Sequence, residues 1–515
     1  MAVIAGPGTG KTGTLAARIR CLIEKRKVKA SEITAVTFTN QAAKELRERL
    51  KREMPHRRAA SLVQAGTFHS LCLKLLQKAG KNISLADEET KLFLAESILK
   101  EQDAKLSPSA FLSMVSREKL HRAMEEEQKQ ADIYEKNPEF EAACAAYGKR
   151  MEEEGLWDFD DLLIETKRLL DCSEDQDAGL CRQFRYLLVD EFQDIDALQY
   201  QLICQWNRNG RELFVIGDPD QSIYGFRGAD PACFSRMLLD FPQTEVIRLK
   251  ENYRSTSEIL SASAELIGHN PGGDRSLHAA KGAGLPVRIV EASGKQGEGI
   301  FAAREINRMI GGIDMLDAQE KGYQDTAGGR SFSEIAVLVR TNRQAEAMEE
   351  YLKTEGIPYV VRGRGTFLEA QTVREALAYF RKSGEAEGLR RKKPAVLLQS
   401  WMQEKGLAGD EPLQKLWNMA GCYKTMDAFL NMLELGEEGD LCRSGTRHYT
   451  ADAVSLMTLH ASKGLEFSAV IIPWVNRYSI PMESRKEEAL QSLEEERRLL
   501  YVGMTRAKEE LILVT

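Results

Sequence analysis

This chain has no long apolar run, no paired cysteines and no excess of positive charge. Among its 515 residues there is no stretch of about 18 apolar residues, so no membrane span is expected. The nine cysteines are scattered without a Cys-x-x-Cys spacing, which argues against a zinc site or a disulfide framework and fits a reducing compartment. The histidines show no metal-ligand spacing. Met1-Ala2-Val3-Ile4 carries no basic segment or cleavage site, which excludes a signal peptide and makes the cytoplasm the expected location. A formal net charge of −7 gives no global sign of a polyanionic partner, so any such surface must be local. Internal repeats and low-complexity tracts are also missing. What remains is 43% apolar and 29% charged residues, a globular composition, at a length that divides into about three or four domains.

Against that background one local pattern stands out. Ala5-Gly6-Pro7-Gly8-Thr9-Gly10-Lys11-Thr12 follows the apolar run Ala2-Val3-Ile4 and precedes the helical pattern Leu15-Ala16-Ala17-Arg18-Ile19. Strand, glycine loop and helix together make a phosphate cradle: backbone N–H groups converge on the anion and the helix N-terminus adds positive potential. Lys11 would reach the β- and γ-phosphates and the Thr12 hydroxyl would bind Mg²⁺. Ala5 stands where the strict pattern has glycine.

A second strand pattern ends in two acids, Leu188-Val189-Asp190-Glu191. Asp190 would hold Mg²⁺ through water and Glu191 would polarise the attacking water. A third, Val215-Ile216-Gly217-Asp218-Pro219-Asp220-Gln221-Ser222, places Gln221 either as a γ-phosphate sensor or as a turn residue. Tyr224, Phe226 and Arg227 follow, and fit base stacking as well as core packing. Arg254 and Arg506 fit a γ-phosphate contact or an ordinary surface ion pair.

Along the chain, residues 1–76 alternate strand and helix patterns, as in a parallel sheet. Residues 77–157 read as a charged helical insertion without a strand. The alternation resumes at Tyr186–Val189 and Leu213–Ile216, and a second α/β block is expected from about Val246. Its strands are Val287–Val290, Ile335–Val339, Val454–Leu459, Ala469–Ile472 and Glu510–Val514, with a loop at Gly311–Gly329. Residues 382–450 read as a second helical insertion.

Nine segments in this order carry a resemblance: Ala5–Thr12, Thr37–Ala43, Gly66–Ser70, Asp158–Leu162, Val189–Asp194, Gly217–Asp230, Asn252–Ser255, Thr458–Phe467 and Tyr501–Ala507. The chain resembles the superfamily 1 DNA helicases of the UvrD/Rep/PcrA family. The resemblance implies an α/β fold of two RecA-like P-loop domains with parallel sheets, each interrupted by a helical insertion. The first domain would be 1–76 plus 158–245 with insertion 77–157, and the second 246–381 plus 451–515 with a shortened insertion 382–450. By the same resemblance, Lys11, Thr12, Asp190 and Glu191 form a Mg-ATP hydrolysis centre. Gln221, Arg254 and Arg506 contact the γ-phosphate, Tyr253 stacks on adenine and Glu466 meets the ribose. Phe38, Asn40, His69, Phe226, Arg227, His460 and Lys463 face DNA. Implied partners are single-stranded and partly duplex DNA, the implied movement is 3′ to 5′, and no membrane is involved. Within the family pattern, the adenine-reading segment that usually precedes the first strand has no counterpart, and Gly13 replaces an adenine-packing Arg. Rival readings are a translocase that strips proteins but unwinds poorly, and an inactive ATP-binding fragment.

Overall fold

The computed structural model describes residues 1–515 except 55–56, 103, 105, 126–137, 172–180, 226–227, 231, 312–328, 363–369, 384–391, 422, 424, 427–428, 431–432, 434–451, 478 and 483–488. The expected loop at Gly311–Gly329 falls almost wholly outside the described residues.

Short runs of small and β-branched residues build the first sheet. Its strands are β1 (Ala2–Ala5), β2 (Ile33–Val36) and β3 (Gln64–Gly66), and, after a helical excursion holding β4 (Ser84–Leu85) and β5 (Leu156–Trp157), β6 (Tyr186–Val189), β7 (Glu212–Gly217) and β8 (Val246–Leu249). The order is β3-β2-β6-β7-β1-β8, with every pairing parallel. The central strands are buried on both faces and read as near-continuous apolar runs, as parallel sheets require. Side-chain caps start the flanking helices. Thr39 accepts from Ala42 N ahead of Asn40–Glu53, and Thr67 accepts from Ser70 N ahead of Phe68–Lys78. One face of the sheet is closed by a stack of Phe184 and Phe68 on Trp206, at 4.5 and 5.7 Å.

A two-stranded pair follows, β9 (Glu251–Asn252) with β10 (His278–Ala279), and then the second sheet. Its strands are β11 (Arg288–Val290), β12 (Ile335–Val339), β13 (Tyr359–Arg362), β14 (Val454–Thr458), β15 (Phe467–Ile472) and β16 (Ala507–Val514). They lie in the order β11-β16-β15-β12-β14-β13, again all parallel.

Three expectations shift. Val246–Leu249 pairs with β1 along Ala2–Ala5, so it closes the first sheet rather than opening the second. The first insertion contains the short parallel pair β4–β5, beside a core of its own around Phe111 and Tyr147. The second helical cluster begins before residue 382: Val373, Leu377 and Phe380 of helix Gln371–Ser383 pack with Leu398, Trp401, Leu416 and Phe429. Each shift depends on pairings distant in sequence, which local periodicity does not encode.

Candidate functional site

All strands of the first sheet point the same way, so their carboxyl ends share one edge. The turn after β1 is Gly6 to Gly10, and Gly8 and Gly10 take φ values of +67° and +84°, conformations that glycine adopts without strain. Gly10 caps helix Lys11–Glu24 with no side-chain hydrogen bond, leaving the first N–H groups open to an anion. Thr9 Oγ1 donates to Gly6 O at 2.8 Å, and Lys11 Nζ folds back to Ala5 O at 3.3 Å. Thr12 is the second residue of that helix.

Asp190 and Glu191 follow β6, separated from β1 by β7. Asp190 is buried, and burial, followed by the charge of Glu191, pushes its carboxyl up to about 7 against the pull of Lys11. Glu191 sits at φ +48°, a strained position for a side chain with a Cβ. Burial opposes its charge, yet Lys11, Lys463, Gln193 and Arg506 together hold its carboxyl below the usual value. Gln193 Nε2 donates to Glu191 Oε2 at 2.5 Å, while its Oε1 accepts from Asp218 N at 2.8 Å. A Cβ on Gly217 would lie 2.3 Å from that Oε1, so this glycine admits the bridge. Buried Gln221 donates to Asp218 Oδ2 at 2.6 Å.

The segment after β8 lies directly against the glycine loop. Asn252 Nδ2 donates to Pro7 O at 2.6 Å and Tyr253 N donates to Gly8 O at 3.0 Å. A Cβ on Gly8 would come 2.6 Å from Arg254 Cβ. Tyr253 is 64% exposed. Arg254 Nε donates to Glu466 Oε2 at 2.8 Å and its Nη1 to Thr505 O at 3.2 Å. Glu466 also pairs with Lys508 at 2.9 Å, so its carboxylate is occupied by cations in this conformation. Arg506 is fully buried. Burial, then neighbouring Arg254, lowers its guanidinium to about 9, with Glu191 pulling the other way. Its Nε donates to Val502 O at 2.8 Å.

Of the expected DNA-facing residues, Phe38 follows β2 and stacks on Tyr224, with centroids 5.1 Å apart. Lys463, from the second domain, sits 4.8 Å over the other ring partner, Tyr224, and pairs with Asp194 and with Gln221 O. Asn40 opens helix Asn40–Glu53, and His69 lies in the first turn of Phe68–Lys78 with Phe159 at 5.4 Å. Burial lowers the His69 imidazole to about 4, so it is neutral near pH 7. His460 begins a short turn, His460–Ser462, beside Lys463. Phe226 and Arg227 lie outside the described residues. Sequence reasoning passed over Gln193, Asp194 and Asn252 although they sit inside quoted motifs. It also missed Arg275, which grips Asp220 through Nε and Nη2 at 2.6 and 2.9 Å.

The arrangement fits a nucleotide's phosphates and a divalent cation. The helix N-terminus is uncapped, a lysine and two arginines converge, a buried carboxyl pair faces them, and Asp194 Oδ1 is buried with no hydrogen bond among the described residues. The pH dependence follows from the carboxyls. Asp190 is raised to about 7, and Asp194 and Asp218 to about 6, each chiefly by burial. Raised acids hold extra protons in the fold, so their stabilisation is full below about pH 4 and is lost as pH rises through 6 to 7. Thermal melts of nucleotide-free protein between pH 5 and 8 should therefore fall less steeply with pH in Asp190→Asn than in the parent; identical slopes would contradict this.

Two parallel sheets facing one glycine loop define a tandem RecA-like P-loop protein. The family model described as the UvrD/REP helicase N-terminal domain matches residues 1–242, and the UvrD-like helicase C-terminal domain matches 247–387 and 411–515. The chain belongs to the UvrD/REP helicase family. It is similar to the ATP-dependent DNA helicase PcrA of Bacillus subtilis (strain 168), at 29% identity over 99% of this chain and 80% of that protein. It is also similar to the ATP-dependent DNA helicase Rep of Escherichia coli (strain K12), at 28% identity over 99% of this chain and 87% of that protein. Among the described residues no helix is long and apolar enough to cross a membrane.

Proposed function

We propose that this chain is an ATP-dependent DNA helicase that moves 3′ to 5′ on single-stranded DNA, acting in DNA repair or replication. The observation that carries the reading is the meeting of Lys11, Asp190 and Glu191 with Arg254 and Arg506, which come from beyond the first sheet, around one glycine loop. Bound Mg²⁺, held by Thr12 and Asp190, would neutralise phosphate charge during transfer. Lys11 and the loop N–H groups hold the phosphates. Glu191, kept ionised, orients the attacking water and accepts its proton. Gln221, Arg254 and Arg506 engage the γ-phosphate; Arg254 reaches it by exchanging its Glu466 pairing, which frees Glu466 for the ribose. Tyr253 stacks on adenine.

The γ-phosphate links the domains, so its presence closes the cleft and its loss opens it. Phe38, Tyr224 and Lys463 form one stack across the two domains, and Phe38, Asn40, His69, His460 and Lys463 are proposed to contact the strand, with Phe226 and Arg227 added from the sequence motif alone. The proposed motor domains are 1–76 with 158–249, which takes in β8, and 250–362 with 452–515, whose core takes in Ile259. The protein works in the cytoplasm.

A duplex with a 3′ single-stranded tail should be unwound with ATP, and one with a 5′ tail should not. Equal unwinding of both would refute the polarity. ATP turnover and streptavidin displacement without strand separation would support the protein-stripping translocase.

A further inference from the structure

At the edge of the first sheet opposite the glycine loop, six cations line a single pocket of about 350 Å³: Arg26, Lys27, Lys29, Arg182, Arg185 and Arg211. They come from three loops, the turns that lead into β2, β6 and β7, so they cluster at the amino ends of adjacent parallel strands. The nucleotide cleft and Phe38, Asn40 and His69 all lie past the carboxyl ends of strands. The two surfaces are thus separated by the thickness of the domain.

The concentration of charge runs against the composition, since the whole chain carries −7. One acid lines the pocket, Glu32, which is buried and lies 3.4 Å from Arg182 and 3.6 Å from Arg185. Outside the lining, Glu212 meets Arg26 at 3.2 Å and is shared with Arg18. Set against six cations, these two acids leave a surplus of four. Lys27, Lys29 and Arg211 are exposed and make no ion pair among the described residues. Lys27 takes φ +56°, a conformation that glycine adopts more readily, in a turn fixed by Arg26 N to Cys21 O and Val28 N to Leu22 O. The backbone also binds the other two loops together, since Arg211 N donates to Arg185 O at 2.7 Å. The cations are therefore held on anchored backbone rather than on a loose tail.

We propose that this pocket binds phosphate groups, those of a phosphodiester backbone lying beyond the stretch of strand held at the carboxyl edge. Four of the six cations are arginines, whose planar forks match phosphate oxygens in pairs. The one aromatic ring in the lining, Tyr186 at the start of β6, is half-buried, so the contact is made by the cations with the backbone and carries no sequence preference. The assignment to DNA rests on the helicase reading; the basic, phosphate-sized chemistry does not. Such a second grip lengthens the footprint of the protein on its strand and resists dissociation while the cleft is open.

The test compares the full chain with Lys27→Glu/Lys29→Glu/Arg211→Glu, and with the milder Lys29→Ala/Arg211→Ala as a guard against misfolding. Fluorescence anisotropy would use oligothymidylates of about 10 and about 40 nucleotides across a salt series. Expected are short-oligonucleotide affinity and maximal ATP turnover within about twofold of the parent, and long-oligonucleotide affinity lower by about tenfold. The salt slope for the long strand should flatten by about 2, from roughly 0.7 for each of three lost contacts. Unchanged long-strand affinity and slope overturn the proposal. So does unchanged long-strand affinity with loss of tripolyphosphate binding, which assigns the pocket to a free polyphosphate, or with loss of polyglutamate binding, which assigns it to an acidic protein. If the parent binds the long strand but not the short one, the strand surface of the helicase reading fails and the pocket stands.

Discussion

Glu191→Gln is expected to lower DNA-stimulated ATP turnover by about a thousandfold while leaving the protein at least as thermostable as its parent. Two effects act on one atom group. Glu191 is the acid that its surroundings keep ionised, through Lys11, Lys463, Gln193 and Arg506, and a group that must accept a proton from water needs that charge. The same charge is one reason the neighbouring Asp190 is pushed up to about 7. Replacing Glu191 with an isosteric amide removes the proton acceptor and relieves the repulsion together. Turnover with and without single-stranded DNA, measured beside a melting curve, checks both halves. A variant that is inactive and also several degrees less stable would mean that Glu191 serves the fold rather than the reaction.

The second large effect is expected from Lys463→Ala. Lys463 reaches from the second domain to Asp194, whose side chain is fully buried in the first, and to Gln221 O at 2.9 Å. Removing the lysine leaves a buried carboxylate without its cation, a change that costs about 3 kcal/mol when one partner of such a pair is lost. Asp194 is already raised to about 6, so it takes up a proton more readily once the lysine is gone. The melting temperature should therefore drop more at pH 8 than at pH 5.5, and Asp194→Asn in the same chain should restore part of it. An equal loss at both pH values would contradict the pairing. Turnover should also respond less to DNA, because Lys463 packs over Tyr224, which stacks on Phe38.

These residues were legible in unequal measure, for physical reasons. The glycine loop and Asp190-Glu191 are local signals: a turn needing positive φ, and a strand ending in acids. Both parallel sheets followed from buried apolar runs. What escaped was long-range. Val246–Leu249 resembles any short strand, and only its register with Ala2–Ala5 puts it in the first sheet. Gln193 looks like one polar residue among several, and its place between Glu191 and Asp218 depends on the bare Cα of Gly217. The Arg275–Asp220 pair joins residues 55 apart with no motif around the arginine. Glu466, which the resemblance assigns to the ribose, is held by Arg254 and Lys508, an exchangeable arrangement visible only once side chains are placed.

The crossing between the two halves carries a further consequence. β8 ends the first sheet at Leu249, and Asn252 and Tyr253 already hydrogen-bond to Pro7 and Gly8. Only Lys250 and Glu251 lie between. The tether that joins the halves is thus also a wall of the phosphate cradle, and it has no slack to absorb a shift there. A shift of the glycine loop would therefore reach the second half directly at Asn252 and Tyr253, like a lever pivoted next to its load, rather than through a compliant linker.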